Sequence, residues 1–433
     1  MYNYICTLSS VKKVLIITYY WPPNGGTGVQ RWMHFSRHLK ALGWDITIFT
    51  PDNSESSIHD NKLLDYVNGI KVIRSKIWEP MGLYKKFTGK KKNQKIQPGF
   101  LNEGKRKKNS EKIALWIRAN YFIPDAKCFW IKPSVKKIIE LHKKEKFTHL
   151  ISTGPPHSVH VIAKKVKEQV SIKWLADFRD PWTNIDWFPK LPLTSSSLKK
   201  HHSMEYEVLS QADEVITVTP TLSEELSEIS GREVSTITNG YEENDFEKFK
   251  SHSTDKIIFF HHGSMNSDRN PIKLWEFLSS QIQNSEDWNK RLEIQCYGAI
   301  DNSIIKKIEE LGLLKHLNVS PFVAHDKVIR ALEHASICFL PINKTQNAKG
   351  IMPNKLYEYI ASDKPIVLIG PKDGDAALKL SKQKHVLIAD FDEEIQAIEI
   401  ERILKSEVDQ SFKHQFSRKN LSKELNEVLI KLS

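Results

Sequence analysis

The stretch "YYWPPNGGTGVQRW" (residues 19–32) places two prolines and then three glycines between an apolar run and a segment with helical spacing. Residues 14–18 before it are apolar and strand-like. A second apolar run, residues 46–49, follows the helical segment and completes a strand–helix–strand unit. The quoted stretch is therefore the turn at the carboxyl end of a first parallel strand. The apolar positions that fall on one face of the helix are Val29, Trp32, Met33, Leu39 and Leu42.

The same alternation continues along the chain. It predicts parallel sheets covered by helices on both faces, and a polar segment at residues 239–256 divides them. We predict an α/β protein of two doubly wound, Rossmann-like domains facing a cleft, residues 1–245 and 246–410, with a C-terminal helix within 411–433 completing the first. The further strands are predicted at residues 70–73, 148–152, 173–176, 214–218, 234–238, 257–264, 292–297, 337–340, 366–369 and 386–389.

Composition favours a soluble globular protein, with 40% hydrophobic and 27% charged residues and no apolar run long enough to span a membrane. Lys12 and Lys13 before residues 14–17 resemble the start of a signal peptide, but prolines follow instead of a small-residue cleavage site, so we expect a buried strand and a cytoplasmic protein. The four cysteines are scattered singly, which argues against a zinc site or a disulfide framework.

The net charge of +12 is uneven, because residues 85–112 hold eleven lysines and arginines and two glutamates. Such a run is either a solvated loop or a surface attracted to anionic lipid. Nucleic acid is disfavoured, because Phe87 and Phe100 are the only aromatic residues in the run. We expect a possible anionic membrane surface as a partner and no nucleic acid.

Two glycine turns follow strands at corresponding places of the two halves. Gly25 and Gly26 lie in the first, where the backbone can approach a phosphate or sugar, although a simple tight turn explains them equally well. The second turn, "HHGSMNSDRNP" (residues 261–271), has Gly263, Ser264 and then Arg269 before a helix. A forked arginine donor beside a glycine suits a diphosphate.

Charged and aromatic residues end two other strands of the first half. In "STGPPHSVH" (residues 152–160), His157 is a candidate hydrogen-bonding group or base, and a structural or metal-binding pair with His160 is the alternative. In "ADFRDPWTNIDW" (residues 176–187), Arg179 and Asp180 lie beside tryptophans, which suits carbohydrate. An Arg179 ion pair that fixes the turn, with Trp182 in the core, explains the second motif about as well.

A third motif, "GIMPNKLYEYIASDKP" (residues 350–365), opens a helix in the second half. Glu358 is either an ordinary helix residue or a carboxylate that binds both hydroxyls of a nucleotide ribose. Asn354 and Lys355 join it as candidate donor-binding residues. "DGD" (residues 373–375) matches a metal-binding pattern, but helix capping is the better interpretation, and we predict no metal site.

Together these motifs resemble the glycosyltransferases of GT-B architecture, most closely glycosyltransferase family 4, over residues 13 to about 375. The resemblance implies a nucleotide-sugar donor on the second domain, an acceptor on the first, retention of configuration and no essential metal or cofactor. The motifs that carry it are "GGTGVQRW", "GPPHSVH", "DFRDPW", "TNGY", "HHGSMNSDRNP" and "NKLYEYIASDKPIVLIGP".

By resemblance, Glu358 matches the second glutamate of the family's E-x7-E motif, which binds the donor ribose, whereas the first glutamate is replaced by Gly350. Gly263 and Arg269 match the diphosphate loop, with Ser264 where a basic residue is frequent. His157 matches the histidine that faces the transferred sugar. Gly25 and Gly26 match the loop beside the phosphates and the acceptor.

The resulting expectation is a transferase that acts in the biosynthesis of a cell-surface polysaccharide or lipopolysaccharide, on a glycan or lipid-linked acceptor. A peripheral location at the inner face of the cell membrane is a further expectation. Two alternatives use the same architecture. One is a nucleotide-sugar epimerase or a phosphorylase, and the other is a non-catalytic nucleotide-sugar-binding protein.

Overall fold

The computed structural model describes residues 12–54, 59–78, 109–320 and 323–433. Within these residues thirteen strands form two parallel sheets. The first sheet has the strand order β3-β2-β1-β4-β5-β6-β7 and the second β10-β9-β8-β11-β12-β13. The strands are β1 (Lys13–Thr18), β2 (Asp45–Pro51), β3 (Lys71–Ser75), β4 (His149–Gly154), β5 (Lys173–Phe178), β6 (Glu214–Thr217), β7 (Ser235–Thr236), β8 (Ile257–His262), β9 (Leu292–Tyr297), β10 (Leu317–Ser320), β11 (Ile337–Pro341), β12 (Ile366–Ile369) and β13 (Val386–Ala389).

Helices connect the strands and cover both faces of each sheet. They are α1 (Thr27–Ala41), α2 (Leu63–Tyr66), α3 (Asn109–Tyr121), α4 (Ile131–Glu145), α5 (Ser158–Lys167), α6 (Ser195–Gln211), α7 (Pro220–Ser230), α8 (Glu243–Phe246), α9 (Ile272–Asn284), α10 (Glu286–Arg291), α11 (Asn302–Glu310), α12 (His325–Leu332), α13 (Asn354–Ala361), α14 (Asp375–Leu380), α15 (Ala397–Lys405) and α16 (Arg418–Lys431).

The predicted fold class is confirmed: two doubly wound α/β domains. Successive residues of a strand point to opposite faces, so Leu15 and Ile17 of β1 join one hydrophobic core, and Val14 and Ile16 join the core on the other face. Burial on both faces explains why the strands appear in the sequence as continuous apolar runs. One strand was not predicted, β10, which lies at a sheet edge with largely exposed side chains.

The last helix returns to the first domain after the chain has formed the second sheet. α16 packs against α1, where Leu421, Leu425 and Leu429 join the apolar core beneath the first sheet. Trp44 Nε1 donates a hydrogen bond to Asn426 Oδ1 at 2.8 Å. The chain therefore passes between the domains twice, near residues 240 and 415.

In each sheet the strand order reverses beside the first strand, between β1 and β4 and between β8 and β11. Ligands of doubly wound sheets bind outside the carboxyl ends of the strands at such a point. The loops that follow β1, β4, β8 and β11 are therefore the places to look for a site. They contain most of the candidate residues named above.

Candidate functional site

The two domains meet through loops at the carboxyl ends of their strands. Asp375, at the start of α14, accepts hydrogen bonds from the backbone N–H and the hydroxyl of Thr221 in α7, both at 3.0 Å. The prediction that "DGD" caps the helix that follows it is therefore wrong. The carboxylate of Asp375 caps α7 of the other domain instead, and Asp373 pairs with Lys349. This contact joins the two domains directly.

The glycine turn after β1 forms the first-domain wall of the cleft. Gly26 has φ +96°, a conformation that side chains disfavour, and it directly precedes α1. At Gly28 a Cβ would lie 3.2 Å from the ring of Tyr20. Gly25 and Gly26 are half-buried. The turn needs its glycines for backbone reasons, and a cradle for phosphate or sugar stays a prediction.

Asp177, at the end of β5, holds α1 in place. Its carboxylate is fully buried and accepts hydrogen bonds from Arg31, at 3.0 Å to Nη2, from Trp32 Nε1 at 2.6 Å and from the hydroxyl of Thr153 at 2.8 Å. Every donor comes from the first domain's own framework. The "DFRDPW" motif therefore contains an ion pair that fixes the structure, but its arginine is Arg31 and not the neighbouring Arg179.

Arg179 joins three backbone segments at the cleft. Its guanidinium donates to the carbonyls of Gly154 at 3.1 Å, Gly28 at 3.0 Å and Pro155 at 2.7 Å. It thereby ties the loop after β4 to the glycine turn after β1. These contacts are those of a positioning residue, and a direct catalytic role for Arg179 stays a prediction.

His157 lies in the same loop region, at the start of α5. Its ring stacks on Trp182 with centroids 4.7 Å apart, and its buried Nδ1 has no hydrogen-bond partner among the described residues. Burial, helped by the nearby His160 and Arg179, lowers the pKa of His157 well below its usual value, so the ring is neutral. A neutral imidazole can accept a hydrogen bond from a sugar hydroxyl.

His160 has a structural environment. Its ring stacks on Phe178 with centroids 4.4 Å apart, and Nδ1 lies 2.8 Å from the hydroxyl of Ser152. Burial lowers the pKa of His160 to about 3. Within the described part of the chain, no three His, Cys, Asp or Glu residues are grouped as metal ligands would be.

Asp180 is the exposed carboxylate of this wall. Solvent reaches its side chain, yet protein atoms crowd it from other directions, and this partial desolvation raises its pKa, with Arg179 opposing the shift. Among the described residues it has no hydrogen-bond or ion-pair partner. It is therefore free to accept a hydrogen bond, and its catalytic role stays a prediction.

On the second-domain wall, the loop after β8 holds Gly263 and Ser264. Gly263 has φ +91°, and Ser264 is exposed. Arg269 donates from Nη1 to the carbonyl of Ser264 at 3.2 Å and from Nε to Asn343 in the loop after β11. It has no carboxylate partner in the described ranges, so its charge is free for an anionic ligand.

Helix α13 contributes Asn354, Lys355 and Glu358 to the same wall. Lys355 is buried, and a Cβ on Gly263 would lie 2.9 Å from its Nζ, so the amine lies against the glycine loop. Asn354 is half-buried at the first position of the helix. The structure thus brings together Gly263, Arg269 and Lys355, as the predicted donor site requires.

Two histidines hold the carboxylate of Glu358. His262 Nε2 lies 3.0 Å from Oε2, and His325 Nε2 lies 3.1 Å from Oε1. Burial alone would raise the pKa of Glu358, but these partners outweigh it and keep the pKa well below its usual value. Each oxygen keeps a lone pair for a further donor, so the geometry is compatible with ribose hydroxyls.

His325 also links the carboxylate to the segment between the domains. Its Nδ1 lies 3.7 Å from Asp245 of α8, which in turn accepts from the hydroxyl of Tyr66 in the first domain at 3.3 Å. Desolvation lowers the pKa of His325, but Glu358 and Asp245 more than compensate and raise it to about 9. A chain of polar contacts therefore runs from the second-domain wall to the first domain.

The broken acidic motif has a structural counterpart. A Cβ on Gly350 would lie 3.3 Å from Cγ2 of Thr221, so α7 occupies the space a side chain would need. A side chain at this position would therefore press against Thr221 of the first domain. The glycine at position 350, where the motif has its first glutamate, thus allows α7 to pack closely against this segment.

Sequence reasoning missed three residues of the site, His262, His325 and Arg418. His262 ends β8 directly before the glycine loop, and this position in the sequence could have identified it as a site residue. Nothing in the sequence around His325 identifies it as one. Arg418 starts α16, where it is buried with its charge near Asp245 and Glu358 and its Nη1 3.5 Å from Gln30 Oε1.

No family model matches the chain, and no curated protein matches it by sequence. Solved structures do match over nearly its whole length. A sucrose-phosphate synthase from Thermosynechococcus elongatus shares 12% identity at a TM-score of 0.60, covering 97% of this chain and 99% of that one. A glycosyltransferase from Rickettsia africae shares 14% at 0.59, covering 98% and 99%.

The lipopolysaccharide outer core galactosyltransferase WaaB shares 12% identity at a TM-score of 0.53, covering 97% of this chain and 99% of that one. At such identities the likeness establishes the fold. The chain has the two-domain GT-B fold of these glycosyltransferases.

Proposed function

We propose that the protein is a glycosyltransferase that moves a sugar from a nucleotide-sugar donor to a glycan or lipid-linked acceptor. The observation that carries the proposal is the second-domain wall, where Glu358 offers a carboxylate beside a glycine loop flanked by Arg269 and Lys355. A carboxylate suits ribose hydroxyls and two cations suit a diphosphate. One similar structure is a UDP-forming α,α-trehalose-phosphate synthase from Burkholderia xenovorans, which supports a nucleotide-sugar donor.

In the proposed mechanism, the donor lies on the second domain and the acceptor hydroxyl approaches from the first. Arg269 stabilises the negative charge that develops on the departing diphosphate. His157 is assigned to the transferred sugar and Asp180 to the acceptor, and each can accept a hydrogen bond from a hydroxyl. No covalent nucleophile is assigned. Retention of configuration and independence from metal ions follow from the family resemblance.

A thermal-shift screen with UDP, GDP, ADP and CDP tests the donor site. A nucleotide at 100 times its dissociation constant should stabilise the wild type by about 2.7 kcal/mol. The shift should shrink in Glu358→Ala and persist in Glu276→Ala, which removes an exposed carboxylate paired with Lys273 on α9. If none of the four nucleotides stabilises the protein, the proposal is refuted.

A transfer assay then separates the enzyme classes. The matching nucleotide-sugar should release its nucleotide faster when glycan or lipid-linked acceptors are added, and EDTA should leave the rate unchanged. Conversion of the sugar with no acceptor present would indicate an epimerase instead. Tight nucleotide binding without release under any acceptor would indicate a non-catalytic binding protein.

We further propose that the protein acts in surface-glycan biosynthesis at an anionic membrane. The basic run 85–112 lies outside the described residues up to residue 108. Just after it, Ile113, Trp116 and Ile117 share one face of α3 and are exposed, as is Tyr121. Basic and exposed apolar side chains together suit the surface of a bilayer. Among the described residues, no helix is long and apolar enough to cross a membrane.

Sedimentation with vesicles tests this part separately. Wild type should bind vesicles that contain anionic lipid and bind neutral vesicles less. Replacing the lysines of residues 85–112 with glutamine, or Ile113 and Trp116 with serine, should weaken binding. Ile398→Ser, which removes an even more exposed apolar side chain from the second domain, should not. Unchanged binding by the first two variants would refute the membrane proposal.

A further inference from the structure

Lys355 has an unusual environment for a lysine. Its side chain is only 9% exposed, and its Nζ lies 3.1 Å from Nε2 of His261. The other ring nitrogen of His261, Nδ1, lies 3.0 Å from the carbonyl oxygen of Phe339. A carbonyl only accepts, so Nδ1 carries the hydrogen and Nε2 is the acceptor for the amine of Lys355. The amine is thus bound to a neutral ring and not to a counter-ion.

The surroundings of Lys355 oppose a positive charge. Burial, followed by the nearby Arg269, lowers the pKa of Lys355 well below its usual value. Burial also raises the pKa of the neighbouring Cys296 thiol to about 12, so Cys296 is neutral. Glu358, on the same helix, is the one carboxylate that favours the charge among the described residues, and it is already held by two histidines.

The position of Lys355 matches what the glycine loop lacks. The residue directly after Gly263 is Ser264, whose exposed side chain offers no charge. The amine of Lys355 approaches the same loop from α13, closely enough that a Cβ on Gly263 would lie 3.2 Å from Cε. Two basic residues without an ion-pair partner in the described ranges, the charged Arg269 and the amine of Lys355, therefore converge on one loop.

We propose that Lys355 is the second diphosphate-binding cation of this protein, substituting from α13 for the basic residue absent at position 264, and that it takes up a proton when the diphosphate binds. In the free protein the amine is held as –NH2 against His261. The arriving phosphate oxygens supply the missing negative charge, and the amine gains one proton from solvent to become –NH3⁺. This inference rests on the proposed donor site and specifies how that site obtains its charge.

Calorimetric titration tests the inference with UDP, GDP, ADP, CDP and inorganic pyrophosphate as probes. In buffers of different ionisation enthalpy near pH 7.5, binding to wild type should take up close to one proton. Lys355→Met should weaken binding about 10- to 100-fold and abolish the uptake, since a single charge-assisted contact has this effect. Lys364→Met, which removes a buried lysine bonded to Ser251 and to the carbonyl of Glu333, should change neither.

Thermal unfolding shows whether Lys355→Met loses affinity only because it is misfolded. Without ligand, Lys355→Met should be as stable as wild type or more stable, because it removes a buried amine that has no counter-ion. If wild type binds none of the probes, the proposed function itself fails. If wild type binds a nucleotide, but Lys355→Met binds it equally well or wild type takes up no proton, only this inference is overturned.

Discussion

Replacement of Asp177 by asparagine should destabilise the protein by about 3–5 kcal/mol, the usual cost of breaking a buried ion pair. Trp32 Nε1 and the hydroxyl of Thr153 both donate to Oδ2, whereas Arg31 donates to both oxygens. An amide nitrogen placed at Oδ2 leaves two buried donors unpaired, at about 1–3 kcal/mol each. Placed at Oδ1, it faces the Nε and Nη2 donors of Arg31 instead of accepting from them. In both orientations the charge of Arg31 loses its counter-ion. Either orientation gives a cost of several kcal/mol.

Urea unfolding monitored by tryptophan fluorescence measures the loss by linear extrapolation. The matched control is Asp373→Asn, which removes an exposed carboxylate paired with Lys349 and should cost no more than about 1 kcal/mol. A loss below about 1 kcal/mol for Asp177→Asn would refute the reasoning. It would mean that the carbonyl of Thr238, which accepts from Arg31 at 2.9 Å, suffices to stabilise that charge.

Three further predictions concern the loops and the second-domain wall. Arg179→Lys keeps the charge but cannot reach three carbonyls, so unfolding should become easier by about 1–3 kcal/mol; equal denaturation midpoints would contradict this. His325 has a pKa raised from 6.5 to about 9, so its contribution to stability is complete below about pH 6.5 and is lost as the pH rises to 9. The difference in melting temperature between wild type and His325→Gln should shrink over that range, and a constant difference would exclude the link to Glu358. Gly263→Ala should reduce nucleotide affinity, because its Cβ would meet the Lys355 amine, whereas Gly312→Ala shares the positive φ but has open space and should only destabilise. Equal affinities in a binding titration would refute the contact.

Most of the framework was predictable because burial on both faces produces unbroken apolar runs. β9, β12 and β13 have the predicted bounds. β10 was not predicted because it is an edge strand with exposed Asn318 and Val319 and so lacks an unbroken apolar run. Where the sheet is covered, local sequence and tertiary burial agree; where it is not, the sequence carries little signal.

The sequence predicted which loops form the site but not which side chains pair with each other within it. Arg179 suggested an ion pair with a neighbouring aspartate, yet Asp177 pairs with Arg31, 146 positions away. Likewise Glu358 is held by His325, 33 positions away, and by His262 at the end of β8. Such pairs are set by how helices and strands pack against each other, and the spacing of residues along the chain does not reveal them.

The return of α16 to the first domain affects how the chain folds during synthesis. Leu421, Leu425 and Leu429 fill the core beneath the first sheet, but they follow the entire second domain in the chain. While the ribosome synthesises the second domain, part of the apolar surface of the first domain remains exposed to solvent. That interval is when chaperone binding or aggregation would compete with folding, and a truncation before residue 418 would make the exposure permanent.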